Sequence, residues 1–319
     1  MKILLVGAGG MGTAHFRNYA EIPDACVQAL VGVSEADRKA AAEWGLPVFP
    51  TITQAVEQVQ AEIADLCVPT FLHESLALEA FQRGKHVITE KPCALSRASA
   101  ENMFRAAREA GRQLYVAQVV QFTRETEVLR QVVEDSRYGR PLDGFFERLS
   151  ARPAWSQGAW LLDKAKSGLL PFDLHIHDLD LMVSLFGKPD SVQVTSCTEN
   201  EGLQDHLRIS YTFPGGVTAY GEAAWFNACV PFTARWRVYF ERGMLVCDGK
   251  TVTGYGADGQ VTAFDTHDPV QIAGGVNLPP NGWFYRELSH FLSCAEKGIP
   301  SPLVPESQVL AVLSVLEKM

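Results

Sequence analysis

The opening residues, Met-Lys-Ile-Leu-Leu-Val-Gly-Ala-Gly-Gly-Met-Gly, constrain the fold more than any other stretch of the chain. Lys2 to Val6 is an unbroken aliphatic run of the kind found in a parallel strand covered on both faces. Gly7-Ala8-Gly9-Gly10-Met11-Gly12 follows at once, and a helical pattern begins at Thr13 and runs to Ile22. In such a strand-to-helix turn one glycine allows the tight turn, one lets a pyrophosphate approach the backbone, and one permits close helix–strand packing. The segment predicts a dinucleotide-binding turn, with Gly7, Gly9, Gly10, Met11 and Gly12 around the pyrophosphate.

The next strand, Gln28 to Val33, ends about 20 residues after the last glycine, where an acidic residue usually holds the adenosine ribose. Here that position is Ser34, followed by Glu35, with Arg38 and Lys39 nearby. Serine cannot chelate two hydroxyls as a carboxylate does, but it leaves room for a 2′-phosphate that Arg38 and Lys39 could neutralise. Glu35 argues the other way, and Ser34 is equally well placed to cap a helix beginning near Ala36. NAD and NADP both stay open, with a lean to NADP.

Strands and helices keep alternating: helix 53–60, strand Ile63 to Val68, helix His73 to Arg83, strand His86 to Thr89, helix Ser96 to Ala110 and strand Leu114 to Val119. Repeated βαβ units of this length predict a doubly wound parallel sheet that binds ligands at the carboxyl ends of its strands. Two segments leave those ends with chemically useful residues. One is Val68-Pro69-Thr70-Phe71-Leu72-His73, and the other is Gly84-Lys85-His86-Val87-Ile88-Thr89-Glu90-Lys91-Pro92.

The second half reads differently. A helix from Asp173 to Phe186 stops at Gly187-Lys-Pro189, and on it Asp173, His177 and Asp180 fall at spacings that put all three on one face. A carboxylate beside an imidazole is what a secondary-alcohol dehydrogenase needs to handle the hydroxyl proton. His175 and His177 project about 200° apart on a helix, which argues against joint metal ligation. From Ser191 to about 265 the pattern turns to period two. His206 to Phe213 puts Leu207, Ile209, Tyr211 and Phe213 on one face, and turn signals recur at Pro214-Gly-Gly, Arg242-Gly, Asp248-Gly and Asp258-Gly. An open, mainly antiparallel sheet with helices on one face is expected. The fold class is thus α/β, an N-terminal Rossmann domain over 1–122 followed by an α+β domain over 123–319.

The glycine turn, the Pro69-Thr70-x-x-His73 segment and Gly84 to Pro92, in that order, resemble the Gfo/Idh/MocA family of NAD(P)-dependent oxidoreductases. The likeness continues through Trp160-Leu-Leu-Asp163-Lys-Ala-Lys-Ser167-Gly168, Asp173-Leu-His-Ile-His177-Asp178-Leu-Asp180 and the Asn281 to Phe291 helix, which is similar to the family's Y-x-x-E-x-x-x-F. Three positions depart from the family pattern: Ser34 in place of Asp, Gln121 in place of Arg, and Leu169 in place of the second glycine after Ser167. The resemblance implies Lys91, Asp173 and His177 as catalytic residues, with Lys91 polarising the reacting hydroxyl. It implies Ser34 at the ribose end of the cofactor, and Pro69, Thr70, His73, Glu90, Lys91 and Gln118 along the nicotinamide half. Trp160 and Tyr285 are expected to close over the site. Substrate recognition is expected from Gln121 and from the loops 152–160 and 277–285.

Composition narrows the remaining choices. A chain of 319 residues with 47% hydrophobic and 20% charged residues has the make-up of a folded two-domain protein, which excludes disordered and collagen-like classes. A net charge of −9 without a Lys/Arg cluster argues against nucleic-acid and anionic-membrane partners, and no apolar run reaches the about 20 residues that span a bilayer. Seven cysteines without a CxxC pair read as reduced, mostly buried thiols in a cytoplasmic protein. The expected activity is oxidation of a secondary hydroxyl of a sugar, polyol or cyclitol, or the reverse, by a homodimer or homotetramer joined through the C-terminal sheet, with no metal. Readings kept beside it are an NAD-dependent glycoside hydrolase of the same family, a non-catalytic dinucleotide-binding regulator and, more weakly, a metal hydrolase.

Overall fold

Ile3 to Val6 are all buried, as a strand covered on both faces requires. In the computed structural model, which describes residues 1–154, 157–200, 203–274 and 279–319, they belong to β1 (Lys2–Val6) at the centre of a six-stranded sheet. The strands β2 (Cys26–Val31), β3 (Val48–Phe49), β4 (Ile63–Leu66), β5 (His86–Glu90) and β6 (Leu114–Ala117) complete it in the order β3-β2-β1-β4-β5-β6, with every pairing parallel. This is the doubly wound order whose carboxyl edge forms a ligand crevice. Between the strands run α1 (Gly10–Tyr19), α2 (Glu35–Trp44), α3 (Ile52–Gln58), α4 (His73–Gln82) and α5 (Arg97–Glu109). Ser34, Thr51 and Ser96 cap α2, α3 and α5 with their side-chain oxygens, which fixes where those helices begin.

The chain divides into two compact units. One comprises Met1–Phe122 with Asp268–Glu306, the other Thr123–His267 with Ser307–Met319. Residues 268–306 therefore belong with the sheet of β1 to β6, although a division at 122 alone would assign them to the second domain. Their helix, here α9 (Trp283–Lys297), is the cause. Its Phe291 ring stacks on Tyr115 at 5.3 Å, Arg286 Nε donates to the Phe122 carbonyl at 2.7 Å, and the Tyr115 hydroxyl donates to the Ile299 carbonyl at 2.9 Å.

The second unit, which carries α6 (Arg124–Glu134) and α7 (Lys164–Ser167), is built on an eight-stranded sheet. Its strands are β7 (Pro141–Ala151), β8 (Ser191–Asn200), β9 (Leu203–Thr212), β10 (Thr218–Phe226), β11 (Thr233–Phe240), β12 (Gly243–Cys247), β13 (Val252–Gly256) and β14 (Val261–Phe264), in the order β14-β13-β12-β11-β7-β10-β9-β8. All pairings are antiparallel except β7 with β10. Leu207, Ile209, Tyr211 and Phe213 are buried on one face, as the period-two pattern requires. β7 is absent from the sequence reading because its inward positions include Gly144 and Arg148, which blur the alternation. In the aromatic segments 223–226 and 236–240, Trp225, Trp236, Val238 and Phe240 are buried, while Arg237 and Tyr239 are exposed on the other face.

Candidate functional site

The glycines of the turn are constrained in different ways. Gly7 has a φ of +90°, and a Cβ there would stand 2.6 Å from the Cys67 carbonyl oxygen. A Cβ on Gly12 would lie 2.0 Å from the Gly7 carbonyl oxygen, so the helix can approach its strand only without a side chain. At Gly9, by contrast, a Cβ would meet nothing within 4 Å. No protein contact demands glycine at position 9, which leaves an open approach to the backbone. α1 begins at Gly10 with no side-chain cap and no acidic residue in its first turn, so its N-terminal field is available to an anion. Met11 is half-buried against the cluster of Leu5, Leu30 and Cys67.

At the end of β2 the structure supplies a carboxylate that the sequence reading did not place there. Ser34 is the N-cap of α2, and Asp37, three residues on, closes a capping box with it. Asp37 Oδ2 accepts from the Ser34 backbone N–H at 2.9 Å and from the Ser34 hydroxyl at 2.7 Å, while Oδ1 accepts from the Ala8 N–H of the glycine turn at 3.0 Å. Gly32 makes the room: a Cβ there would lie 2.4 Å from the Asp37 carboxyl carbon. Of the two cations near a 2′-phosphate position, Arg38 is committed to the backbone and Lys39 is largely exposed. Arg38 donates to the Val33 carbonyl at 2.8 Å, and Lys39 pairs with Glu43 at 3.9 Å. The signal was legible in principle, because Ser-x-x-Asp before a helix is a capping-box spacing.

Two further segments line the carboxyl edge of the sheet. Pro69 leads into a short turn, Thr70–Leu72, and His73 opens α4. The His73 ring is buried between two carbonyl oxygens, with Nε2 at 2.9 Å from Val68 O and Nδ1 at 2.9 Å from Pro92 O. Burial pulls this imidazole down, so the neutral ring, packed between the ends of the two motifs, donates its single N–H to one of the two carbonyls. β5 ends at Glu90, whose Oε2 accepts the Lys91 backbone N–H at 3.1 Å, and the Lys91–Pro92 peptide is cis. Lys91 is thus held at its own N–H and, one residue on, at the Pro92 carbonyl. Beyond β6, Gln118 is buried and its Oε1 has no hydrogen-bond partner among the described residues. A buried, unpaired acceptor at the carboxyl edge of the sheet, three strands from the glycine turn, fits a dinucleotide ending in a carboxamide. Gln121, expected near the substrate, is buried in the turn Val119–Phe122.

Tyr285 stands elsewhere in this unit. It lines a cavity with Met1, Asp24, Gly84, His86 and Arg112, residues at the amino-terminal edge of the sheet, opposite the glycine turn. The helix register explains the misplacement. With Glu287 and Phe291 set on Y-x-x-E-x-x-x-F, the tyrosine position falls on Phe284, whose ring lies 5.9 Å from that of His15.

In the second unit the Asp173 region is a π-turn, Pro171–His175, closed by the Ile176 N–H onto the Pro171 carbonyl, before α8 (Ile176–Phe186). Such turns are often found at functional positions. Asp173 and His177 are both half-buried. Asp180 is buried and accepts from Gln308 Nε2 at 2.8 Å. The π-turn contains Asp173 and precedes His177 and Asp180, so of the three expected on one face it is Asp173 that the extra residue rotates away from the regular α-helical spacing. His175 is buried on the other side, with Nε2 2.5 Å from the Tyr211 hydroxyl. Burial pulls it down to about 4 and keeps the ring neutral. Arg148 and Asp178, both buried, pair beneath the first turn of α8. Leu169, where the family has glycine, keeps a left-handed backbone with φ +61°, and its N–H is held by the Ser167 hydroxyl at 2.9 Å. Trp160 lies half-buried in the turn Gln157–Leu162. Of the two loops expected to recognise substrate, residues 155–156 and 275–278 lie outside the described residues.

A glycine turn at a helix N-terminus, a parallel 3-2-1-4-5-6 sheet and an E-K-P strand end define a nucleotide-binding oxidoreductase class. Residues 1–118 match the oxidoreductase family with an NAD-binding Rossmann fold, and residues 126–246 match the GFO/IDH/MocA C-terminal domain. The chain belongs to the Gfo/Idh/MocA family. It is 28% identical over 193 residues to myo-inositol 2-dehydrogenase of Thermotoga maritima, covering 59% of this chain and 55% of that one. To the 1,5-anhydro-D-fructose reductase of Ensifer adhaerens it is 29% identical over 237 residues, 72% of this chain and 68% of that one. The match thus spans little more than half the length of the first of these relatives. Among solved structures, an oxidoreductase from Agrobacterium radiobacter in complex with NAD+, L-tartaric acid and magnesium superposes with a TM-score of 0.86 at 17% identity, over 99% of this chain and 94% of that one. A levoglucosan dehydrogenase in complex with NADH and levoglucosan superposes at 0.84 and 19% identity, over 100% and 97%.

Proposed function

We propose that this protein is an NAD-dependent dehydrogenase that interconverts a secondary hydroxyl and a ketone on a sugar, polyol or cyclitol. The observation that carries the reading is the tethering of Lys91 at the carboxyl edge of the sheet, through Glu90 on one side and through His73 and Pro92 on the other. Such a lysine can donate to the reacting hydroxyl oxygen and stabilise negative charge that develops there. The dinucleotide, when bound, supplies the hydride chemistry. Gly7, Gly9, Gly10, Met11 and Gly12 hold its pyrophosphate, and Pro69, Thr70 and Gln118 line its nicotinamide half. His177 takes the hydroxyl proton in oxidation and returns it in reduction, and Asp173 orients the imidazole.

The lean to NADP depended on a ribose site without a carboxylate. Asp37 brings one to the mouth of the glycine turn, where it can accept ribose hydroxyls and repel a 2′-phosphate, so NAD is the cofactor this reading selects. For assembly, the outward face of the eight-stranded sheet carries exposed Tyr220, Tyr239 and Tyr255 and supports a homodimer or homotetramer. All seven cysteines are free thiols, which suits the cytoplasm, and among the described residues no helix is long and apolar enough to cross a membrane. Fluorescence titration with NADH and NADPH, followed by a sugar and cyclitol panel at the reduced-cofactor absorbance, tests the whole reading. Tight NADH binding with turnover of at least one polyol is expected. NADH binding without turnover across the panel would contradict the activity.

A further inference from the structure

α1, β4 and β5 bring a set of polar side chains together in one buried place beneath the glycine turn. Asp65 Oδ2 accepts from His15 Nδ1 at 2.8 Å and from the Tyr19 hydroxyl at 2.9 Å. Cys67 Sγ lies 3.3 Å from His15 Nδ1 and 3.7 Å from Asp65 Oδ1. On the opposite side of the ring, His15 Nε2 stands 3.1 Å from Glu90 Oε1, at ion-pair distance but off the line of a hydrogen bond. The second oxygen of Glu90 is the one that accepts the Lys91 N–H. α9 closes the place with the Phe284 ring and with Glu287, which faces Tyr19. Lys91 and Glu90 belong to the site described above, and Cys67 backs its glycine turn; His15, Tyr19 and Asp65 have no part in it so far.

A neutral imidazole carries one N–H and can serve a single acceptor. Here a carboxylate oxygen faces each ring nitrogen and water is excluded, so a ring protonated on both nitrogens answers both. The donor atoms of His15, Asp65 and Cys67 also lie within 4.8 Å of one another, a spacing compatible with a metal ion. Two features oppose that use. The 2.8 Å contact between His15 and Asp65 is a hydrogen bond, with a proton where an ion would sit, and burial together with Asp65 pushes the Cys67 thiol up, away from the thiolate a metal requires.

We infer that His15 is a positioning residue, a buried imidazolium that ties Asp65 of β4 to Glu90 of β5 and, through Glu90, fixes the peptide leading into Lys91. The inference rests on the role given to Lys91 above. Burial alone would lower the imidazole, but Asp65 and Cys67 together more than offset it, and His15 is held well above its ordinary range. Neutralising the ring releases Glu90 and loosens Lys91, while the glycine turn, which meets the cluster through Cys67 rather than through His15, keeps its grip on the dinucleotide.

The test uses the whole chain labelled with 15N in its eight histidines. The ring signal that disappears in His15→Gln is expected to show both nitrogens protonated at pH 8, and its titration should move down by a pH unit or more in Asp65→Asn and in Glu90→Gln. His15→Gln should bind NADH within threefold of wild type, yet turn over the sugar used by the wild type at least tenfold more slowly, with KM for the dinucleotide little changed. A singly protonated His15 ring at pH 8, stoichiometric zinc in the purified chain, or wild-type turnover in His15→Gln overturns the inference. If His15→Gln does not fold, Glu90→Gln must show both the lowered titration and the slower turnover. If the wild type turns over no sugar, the dehydrogenase reading has failed separately, and the ring protonation decides the inference by itself.

Discussion

Arg148 Nε and Nη2 donate to the two carboxylate oxygens of Asp178 at 3.0 and 2.9 Å, a fork-to-fork pair buried between β7 and the first turn of α8. Asp178 directly follows His177, so this pair anchors the backbone from which the proposed acid/base projects. Breaking it on one side strands a buried charge. Asp178→Asn or Arg148→Met is expected to destabilise the second unit by about 3–5 kcal/mol, and the double replacement Arg148→Met with Asp178→Leu by much less. Urea unfolding followed by circular dichroism measures both, and additive losses would contradict this account of the pair.

His175 gives the second unit a defined acid sensitivity. Its folded value of about 4 lies below the ordinary 6.5, so the unfolded chain takes up a proton that the folded chain refuses. The sign follows: this penalty is absent above about pH 7, grows as pH falls through 6.5, and is complete below about 4. Between pH 7 and pH 5 it costs about 2 kcal/mol. His175→Gln keeps a donor toward Tyr211 but cannot titrate. Its stability should fall less than that of wild type over the same interval, and parallel losses in the two proteins would remove His175 as the cause.

Asp37 makes cofactor choice testable by one substitution. Asp37→Ser removes the carboxylate that meets Ala8 and Ser34, and it should weaken NADH binding about fivefold or more, equivalent to about 1 kcal/mol. NADPH binding should strengthen in the same variant. Unchanged ratios of the two dissociation constants would show that the ribose end does not meet Asp37.

Tyr285 offers a contrast. Its place at the amino-terminal edge of the sheet predicts that Tyr285→Ala leaves the NADH dissociation constant within twofold of wild type. A tenfold loss would return it to the cofactor site.

The strand-to-helix alternation of residues 1–122 was legible in the sequence because buried parallel strands are continuous aliphatic runs and helix starts carry Ser or Thr caps. The period-two strand ending at Phe213 was equally plain. β7 was not, since a buried arginine and a glycine occupy its inward positions. The return of residues 268–306 to the first unit was hidden for another reason: which element α9 packs against depends on contacts such as Phe291 with Tyr115, distant in sequence. At the site, local motifs located the glycine turn and the tethered Lys91. Asp37 and His15 escaped because their importance lies in partners 29 and 50 residues away, Ala8 and Asp65.

The central claim is that Lys91 serves hydride transfer to or from a polyol carbon, and one measurement reaches it directly. Wild type and Lys91→Met, each first shown to bind NADH by fluorescence, are incubated with NAD+ and a panel including myo-inositol and levoglucosan, and the reduced-nicotinamide absorbance is followed. The account predicts steady turnover by wild type with at least one sugar or cyclitol, and a loss of about 100-fold or more in Lys91→Met, in line with the removal of one stabilising donor. Turnover by Lys91→Met at the wild-type rate would contradict it.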